Sequence, residues 1–127
     1  MRVARLDDLP FILGNLAGGS DIINDDYDPF DHLYNMPEDK LREAIIKEYV
    51  IPTMSAASED VRENIKITLS HLIKEKFSEN MIEERLESSL PPVEIPKPYS
   101  KFLLEAFKAI CPDEDPYKQP PAEKIII

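Results

Sequence analysis

The stretch EDVRENIKITLSHLIKEKF, residues 59–77, decides the fold class. Its apolar residues recur every three or four positions, which places them on one face of an α-helix. That face comprises Val61, Ile65, Leu69, Leu72, Ile73 and Phe77. Ser58 is a candidate N-cap, and Glu59 and Asp60 fall in the first turn, where the helix dipole favours negative charge. The stretch predicts a long amphipathic helix.

Helical spacing continues on both sides of this stretch. One helix is predicted after Pro37, which suits a first helical turn, and it is expected to end at Pro52. Two more are predicted over residues 79–90 and 101–111, and Ser100 is the candidate cap of the second. These segments predict a helical domain.

Shorter helices are predicted in the N-terminal third. Asp8 is a candidate cap for a brief first helix, and Asp28 for another in the stretch DPFDHLY. In the second of these, Phe30, Leu33 and Tyr34 would share one face. We therefore expect these three side chains to pin the segment onto the core.

The pattern predicts an all-α fold, a single compact domain of about five helices over residues 1–111. Only 3 glycines occur, and the sequence contains no Asn-Gly or Asp-Gly hairpin signal. The stretch PPVEIPKP, residues 91–98, is a Pro-rich connector before the last helix. The predicted core comprises Leu41, Ile45, Tyr49, Val61, Ile65, Leu69, Leu72, Ile73, Leu86, Leu103 and Phe107.

The segment 112–127 is acidic and Pro-rich, and we expect a mobile tail there. It ends in Ile125, Ile126 and Ile127. This apolar run either docks on the body or is an accident of where the chain ends. The sequence alone leaves both alternatives open.

The charge balance limits the possible partners. The chain has 15 Lys and Arg residues against 25 Asp and Glu residues, a formal net charge of −10. Such a surface repels phosphate, which disfavours nucleic acid and anionic membranes and favours a basic protein partner. The single cysteine, Cys111, and the lack of a secretory signal pattern or a long apolar run indicate a cytoplasmic protein.

The stretch SDIINDDYDPFDHLYN, residues 20–35, combines five aspartates within eleven residues with several aromatic side chains. A metal loop, a catalytic carboxylate pair or a docking surface would each use such a composition. The spacing fails as a calcium loop, because counting from Asp21 puts Asp26 where glycine is required and His32 where glutamate is required. No zinc-ligand spacing or catalytic motif accompanies it, so we expect no metal, no cofactor and no catalytic residue.

A docking surface for a basic protein is the interpretation that remains. Tyrosines supply large contact areas, and surrounding carboxylates steer a basic partner towards them. The predicted partner-binding residues are Asp21, Asp25, Asp26, Tyr27, Asp31 and Tyr34. The alternative for each residue is an acidic, solvated loop whose aromatic side chains turn inward.

In size, in charge and in the stretch DDYDPFDHLY, the chain resembles the small acidic helical immunity proteins of bacterial colicin and contact-dependent inhibition systems. It lacks the adjacent tyrosine pair of the helical colicin immunity proteins. The resemblance implies a protein that binds and neutralises a cognate toxin, such as a nuclease, in the cytoplasm. Two alternatives stay open: a helical interaction or adaptor domain, which would use its helix faces or the Pro-rich connector, and a small metal-dependent hydrolase.

Overall fold

The computed structural model describes residues 1–75 and 79–127, and it is mostly helical, as the sequence predicts. Five α-helices lie in this part of the chain: α1 (Glu38–Ile45), α2 (Ile51–Ala56), α3 (Glu59–Glu75), α4 (Glu79–Glu87) and α5 (Tyr99–Ile110). Short 3₁₀ helices cover Leu6–Leu16, Gly19–Asp21, Asp31–Leu33 and Pro116–Lys118, and a π-helical turn covers Ile46–Val50. Phe77, predicted on the apolar face of the long helix, lies outside the described residues.

Helix α3 is the central element of the fold. It packs against α5 and against the N-terminal segment. Its C-terminal half is buried on several sides, because Thr68, Ser70 and His71 are buried together with the predicted face residues Leu69 and Leu72. The amphipathic face predicted from the sequence is therefore correct but too narrow.

A two-stranded parallel sheet is the exception to the predicted all-α fold. Strand β1 (Val3–Arg5) pairs with β2 (Lys124–Ile126), and Ala4 lies opposite Ile125. On the helix side, the Arg5 backbone N–H donates to Thr68 Oγ1 at 3.0 Å. Each strand has only three residues, which is too short for an alternating pattern to be recognised in the sequence.

The segment 112–127 lies against the body instead of extending away from it. Ser70 Oγ donates to the Pro116 carbonyl at 2.8 Å, and Pro116 is buried. Lys74 Nζ donates to the Gln119 carbonyl at 2.7 Å. Since β2 includes two of the last three isoleucines, the docking alternative holds for the C-terminus. The mobility expected for this segment stays a prediction about its dynamics.

Pro52 does not end the helix predicted after Pro37, and that prediction is wrong. The chain passes from α1 through the π-helical turn into α2, with Pro52 near the start of α2. A proline inside an α-helix lacks the N–H donor of one hydrogen bond and crowds the carbonyl four residues earlier. The wider π turn immediately before Pro52 relieves this conflict, so the helix continues to Ala56.

The N-terminal third contributes more of the core than the sequence predicts. Its 3₁₀ helix buries five apolar side chains completely, and Phe30 and Leu33 are also buried. The five are Leu6, Leu9, Ile12, Leu13 and Leu16. Elsewhere the predicted core residues are buried, apart from Tyr49, Val61 and Ile73, which are half-buried at its edge.

Helix α5 begins with a cap from another helix. Its first residue is Tyr99, so Ser100 lies inside the helix and is not the predicted cap. The Glu79 carboxylate at the start of α4 instead accepts hydrogen bonds from the backbone N–H groups of Tyr99 and Ser100. Burial opposes the charge, but these bonds hold the pKa of Glu79 below its usual 4.5. The cap ties α4 to α5 across the connector.

Candidate docking surface

The acidic-aromatic stretch, residues 20–35, contains a tight, exposed turn at residues 24–27. Asn24 and Tyr27 exchange two backbone hydrogen bonds, of 3.0 and 3.2 Å. The Asn24 side chain also accepts from the Asp26 backbone N–H at 2.9 Å. Asp25 and Asp26 therefore lie at the tip of the turn, and Tyr27 follows with 58% of its surface exposed.

Behind the turn, the chain is anchored by buried aromatic and aliphatic side chains. The Asp28 carboxylate accepts from the Phe30 backbone N–H at 3.0 Å. Phe30 is buried against Tyr49, with 6.1 Å between the ring centroids. Asp28 thus caps the local turn ahead of the 3₁₀ helix Asp31–Leu33, not the helix itself as predicted.

Tyr34 points outward, which corrects one sequence prediction. The pattern places Phe30, Leu33 and Tyr34 on one inward face, yet 43% of Tyr34 is exposed while Phe30 and Leu33 are buried. The Tyr34 hydroxyl hydrogen-bonds to Asp28. This bond, followed by burial and by the charges of Asp28 and Asp31, raises the pKa of Tyr34 to about 12. Tyr34 is therefore a fixed, neutral phenol at the surface.

The aspartates of the stretch are solvent-accessible. Asp21, Asp25, Asp26 and Asp31 are all exposed. Among the hydrogen bonds and ion pairs found in residues 1–75 and 79–127, none uses the carboxylates of Asp25, Asp26 or Asp31. Carboxylates without structural partners remain available to a binding protein, and their substitution should leave the fold intact.

The two ends of the stretch lie in different surroundings. Next to Asp21, the Ser20 backbone N–H donates to the Leu90 carbonyl at 3.1 Å, and the Ser20 hydroxyl donates to the Pro91 carbonyl at 2.9 Å. Asp21 therefore sits beside the start of the connector. Asp31 belongs instead to the group around Tyr34. The structure thus fixes the stretch at both ends and groups Asp31 with Tyr34.

Sequence reasoning missed several acidic residues from other elements. Glu48, in the π-helical turn, bonds His32 Nε2 at 2.7 Å. Glu38 of α1 and Glu94 of the connector line a groove beside Tyr34 with a volume of about 390 Å³. Glu38, Glu48 and Glu94 lie near the stretch only in the folded protein. From the sequence alone, Glu38 indicates no more than an acidic first turn of a helix.

Other chemically notable side chains do not converge on this surface. Burial, followed by the nearby Glu114, raises the pKa of Cys111 to about 11, so the thiol stays protonated at neutral pH. In the described part of the chain, no three His, Cys, Asp or Glu side chains are arranged to hold a metal ion. None of the helices described here is long and apolar enough to span a membrane.

Comparison of the chain with protein-family models, with curated proteins and with solved structures gives no match.

Proposed function

We propose that this protein is an immunity protein: it binds a cognate toxin, such as a nuclease, in the cytoplasm and blocks it without chemistry of its own. One observation carries the proposal. Tyr27 and Tyr34 are exposed on the structured stretch of residues 20–35, and the carboxylates of Asp25, Asp26 and Asp31 in the same stretch form none of the hydrogen bonds and ion pairs of the described residues.

Exposed tyrosines on a fixed backbone suit a protein interface. A tyrosine has few rotors, so it loses little side-chain entropy when a partner covers it. The turn at Asn24 and the anchor at Phe30 hold the backbone between them, which reduces the ordering cost of binding. Tyr27 and Tyr34 are therefore the residues we expect to set the lifetime of the complex.

The carboxylates supply the attraction to a basic partner. A net charge of −10 repels nucleic acid and accelerates encounter with a positively charged protein. Many toxin nucleases must bind phosphates through basic residues, so aspartates placed in that groove would occupy the same sites. A protein that exposes Asp25, Asp26 and Asp31 within one short stretch has the charge pattern of such an inhibitor.

The required interface area is compatible with a molecule of this size. A standard interface covers about 800 Å² on each partner, roughly a tenth of the 7260 Å² accessible surface. The turn alone is smaller than this. We therefore expect α1 and the connector to contribute to the interface beside the acidic-aromatic stretch.

The adaptor alternative would need an exposed connector. A Pro-rich ligand must lie exposed to enter an aromatic groove on another protein. In this structure Ile95 and Pro96 of the connector are buried. The connector thus packs as a structural element, and no observation favours it as a ligand.

Growth rescue tests the proposal. The protein would be co-expressed in bacterial cells with each of a panel of basic toxin domains, including any encoded beside its own gene. The expected result is that this protein restores growth of the cells that express one toxin of the panel. The two proteins should then purify as a 1:1 complex in which the toxin is inactive. Inhibition at far less than one equivalent would indicate catalysis and contradict the proposal. A folded protein that neutralises and binds none of the panel would also count against it.

A further inference from the structure

A groove extends from Tyr34 between the start of α1 and the connector. Its floor is apolar and largely buried, and comprises Leu33, Leu41, Val93 and Ile95. Its rim carries Glu38 at one side and Glu94 at the other, both exposed. At about 390 Å³ it is close to the lower limit for small-molecule sites, so it suits one long side chain.

The far end of the groove already holds a cation from the protein itself. Lys97 Nζ lies 3.5 Å from Glu83 and 4.0 Å from Glu94. It also lies 6.0 Å from the centroid of the Tyr99 ring. Of these groups Glu94 and Lys97 line the groove, so a carboxylate of the groove already pairs with a positive charge.

The end of the groove at Tyr34 also has an aromatic ring and carboxylates. No ion pair among the described residues places a cation there. Tyr34 supplies a half-exposed ring and Glu38 an exposed carboxylate of the lining, and the exposed Asp31 carboxylate lies close enough to Tyr34 for its charge to act on it. None of the ion pairs within the described residues involves Glu38 or Asp31. Charge complementarity therefore points to a cationic group as the occupant of this end.

We infer that the groove receives an arginine side chain of the basic partner, with the guanidinium between Tyr34 and Glu38 and the aliphatic stem on Leu33 and Leu41. The inference rests on the proposed function and names how the partner is held. Arginine fits better than lysine because its flat guanidinium stacks on an aromatic ring and binds a carboxylate with two parallel hydrogen bonds. Its three methylene groups match the apolar floor.

The test uses two blocked peptides that differ in one group, with arginine in one and its neutral analogue citrulline in the other. Each is titrated into the full-length ¹⁵N-labelled protein while the amide signals are followed. The arginine peptide should shift signals of residues 33–41 and 93–97 with a Kd of about 1–10 mM. The citrulline peptide should bind at least about fivefold more weakly, because it lacks the charge.

Three variants separate the groove from general acidity. Glu38→Gln should weaken binding of the arginine peptide about fivefold, whereas Lys97→Gln should strengthen it about twofold by removing a like charge. Glu59→Gln is the matched control, since Glu59 opens α3 as Glu38 opens α1 and both are exposed. It should change the Kd by less than about twofold. Unchanged melting temperatures confirm that each variant is folded.

Several results would overturn the inference. One is equal weakening by Glu38→Gln and Glu59→Gln, and another is equal binding of the two peptides. Shifts confined to residues 24–31 would also overturn it, while leaving the proposed docking on the acidic-aromatic stretch in place. Absence of any shift at about 20 mM peptide would refute the groove as an arginine site. The proposed function itself would then be decided by growth rescue.

Discussion

Removing the Glu79 cap should destabilise the protein in a pH-dependent way. The Glu79 carboxylate satisfies two backbone N–H groups at the start of α5, and α5 buries Tyr99, Phe102 and Phe107. Loss of a helix cap costs about 0.5–2 kcal/mol. Since the bonds are charge-assisted but Glu79 is only half-buried, we expect about 1.5 kcal/mol for Glu79→Ala. For a chain of this length that lowers Tm by about 6 °C.

The effect of pH follows from the lowered pKa of Glu79. A group with a depressed folded-state pKa stabilises the protein above its unfolded value of 4.5 and loses this contribution as the pH falls through the folded value. The difference between wild type and Glu79→Ala should therefore be full at about pH 7 and shrink below about pH 4.

Urea denaturation at about pH 7 and below about pH 4 measures the stability difference between wild type and Glu79→Ala. Amide hydrogen exchange locates the change. Exchange at the Tyr99 and Ser100 amides should accelerate in the variant, because both lose their acceptor. Glu84→Ala is the control, since Glu84 is an exposed residue of the same helix. Equal losses in the two variants, or a Glu79→Ala loss that persists unchanged at low pH, would refute the capping role.

The remaining predictions concern a glycine contact and a phenol. Gly14 and Gly18 both have positive φ, but an added Cβ would lie 1.9 Å from Thr53 Oγ1 at Gly14 and would meet nothing within 4 Å at Gly18. Urea denaturation should therefore show a loss of about 1 kcal/mol for Gly18→Ala and at least about 2 kcal/mol for Gly14→Ala; equal losses would contradict the close packing. Asp28→Asn should lower the pKa of Tyr34 from about 12 towards 10, because the amide is uncharged, whereas it can still accept from Phe30. Tyrosinate absorbance at about pH 11 should rise relative to wild type, and an unchanged titration would refute the bond to Asp28.

The helical part of the fold can be predicted from local sequence because its signals are local. The spacing of Ile65, Leu69 and Leu72 indicates one buried face of a helix, and all three residues are buried. The passage through Pro52 could not be predicted, because the π turn that permits it also packs against Gly14, far away in sequence. The cap of α5 could not be predicted for the same reason, because Glu79 lies twenty residues before Tyr99.

The candidate site is predictable only in part. The concentration of aspartates around Tyr27 identifies the stretch from composition alone. For Tyr34 two expectations conflict: helical periodicity places it inward with Phe30, whereas the docking interpretation needs it at the surface. The structure has only one short 3₁₀ turn there, and Tyr34 is exposed. The groove could not be predicted from the sequence, because Glu38 and Glu94 line one groove only in the folded protein.

Two variants that lose the same charge test the docking claim. One changes Asp25, Asp26 and Asp31 to Asn. The control neutralises three exposed acids elsewhere: Glu59, Asp60 and Asp113. The other acids of the C-terminal segment are unsuitable, because the Glu114 carboxylate pairs with Lys66, the Asp115 carboxylate caps Tyr117 and the Glu123 carboxylate accepts from the Arg2 backbone N–H.

The decisive measurement is the association rate of both variants with the toxin domain identified by growth rescue, at about 20 mM salt, with melting temperatures recorded alongside. If the acidic-aromatic stretch is the docking surface, the variant of Asp25, Asp26 and Asp31 should associate about tenfold more slowly or worse, while the control stays within about twofold of wild type. Equal slowing of both folded variants would contradict a local docking surface and leave only a general effect of net charge.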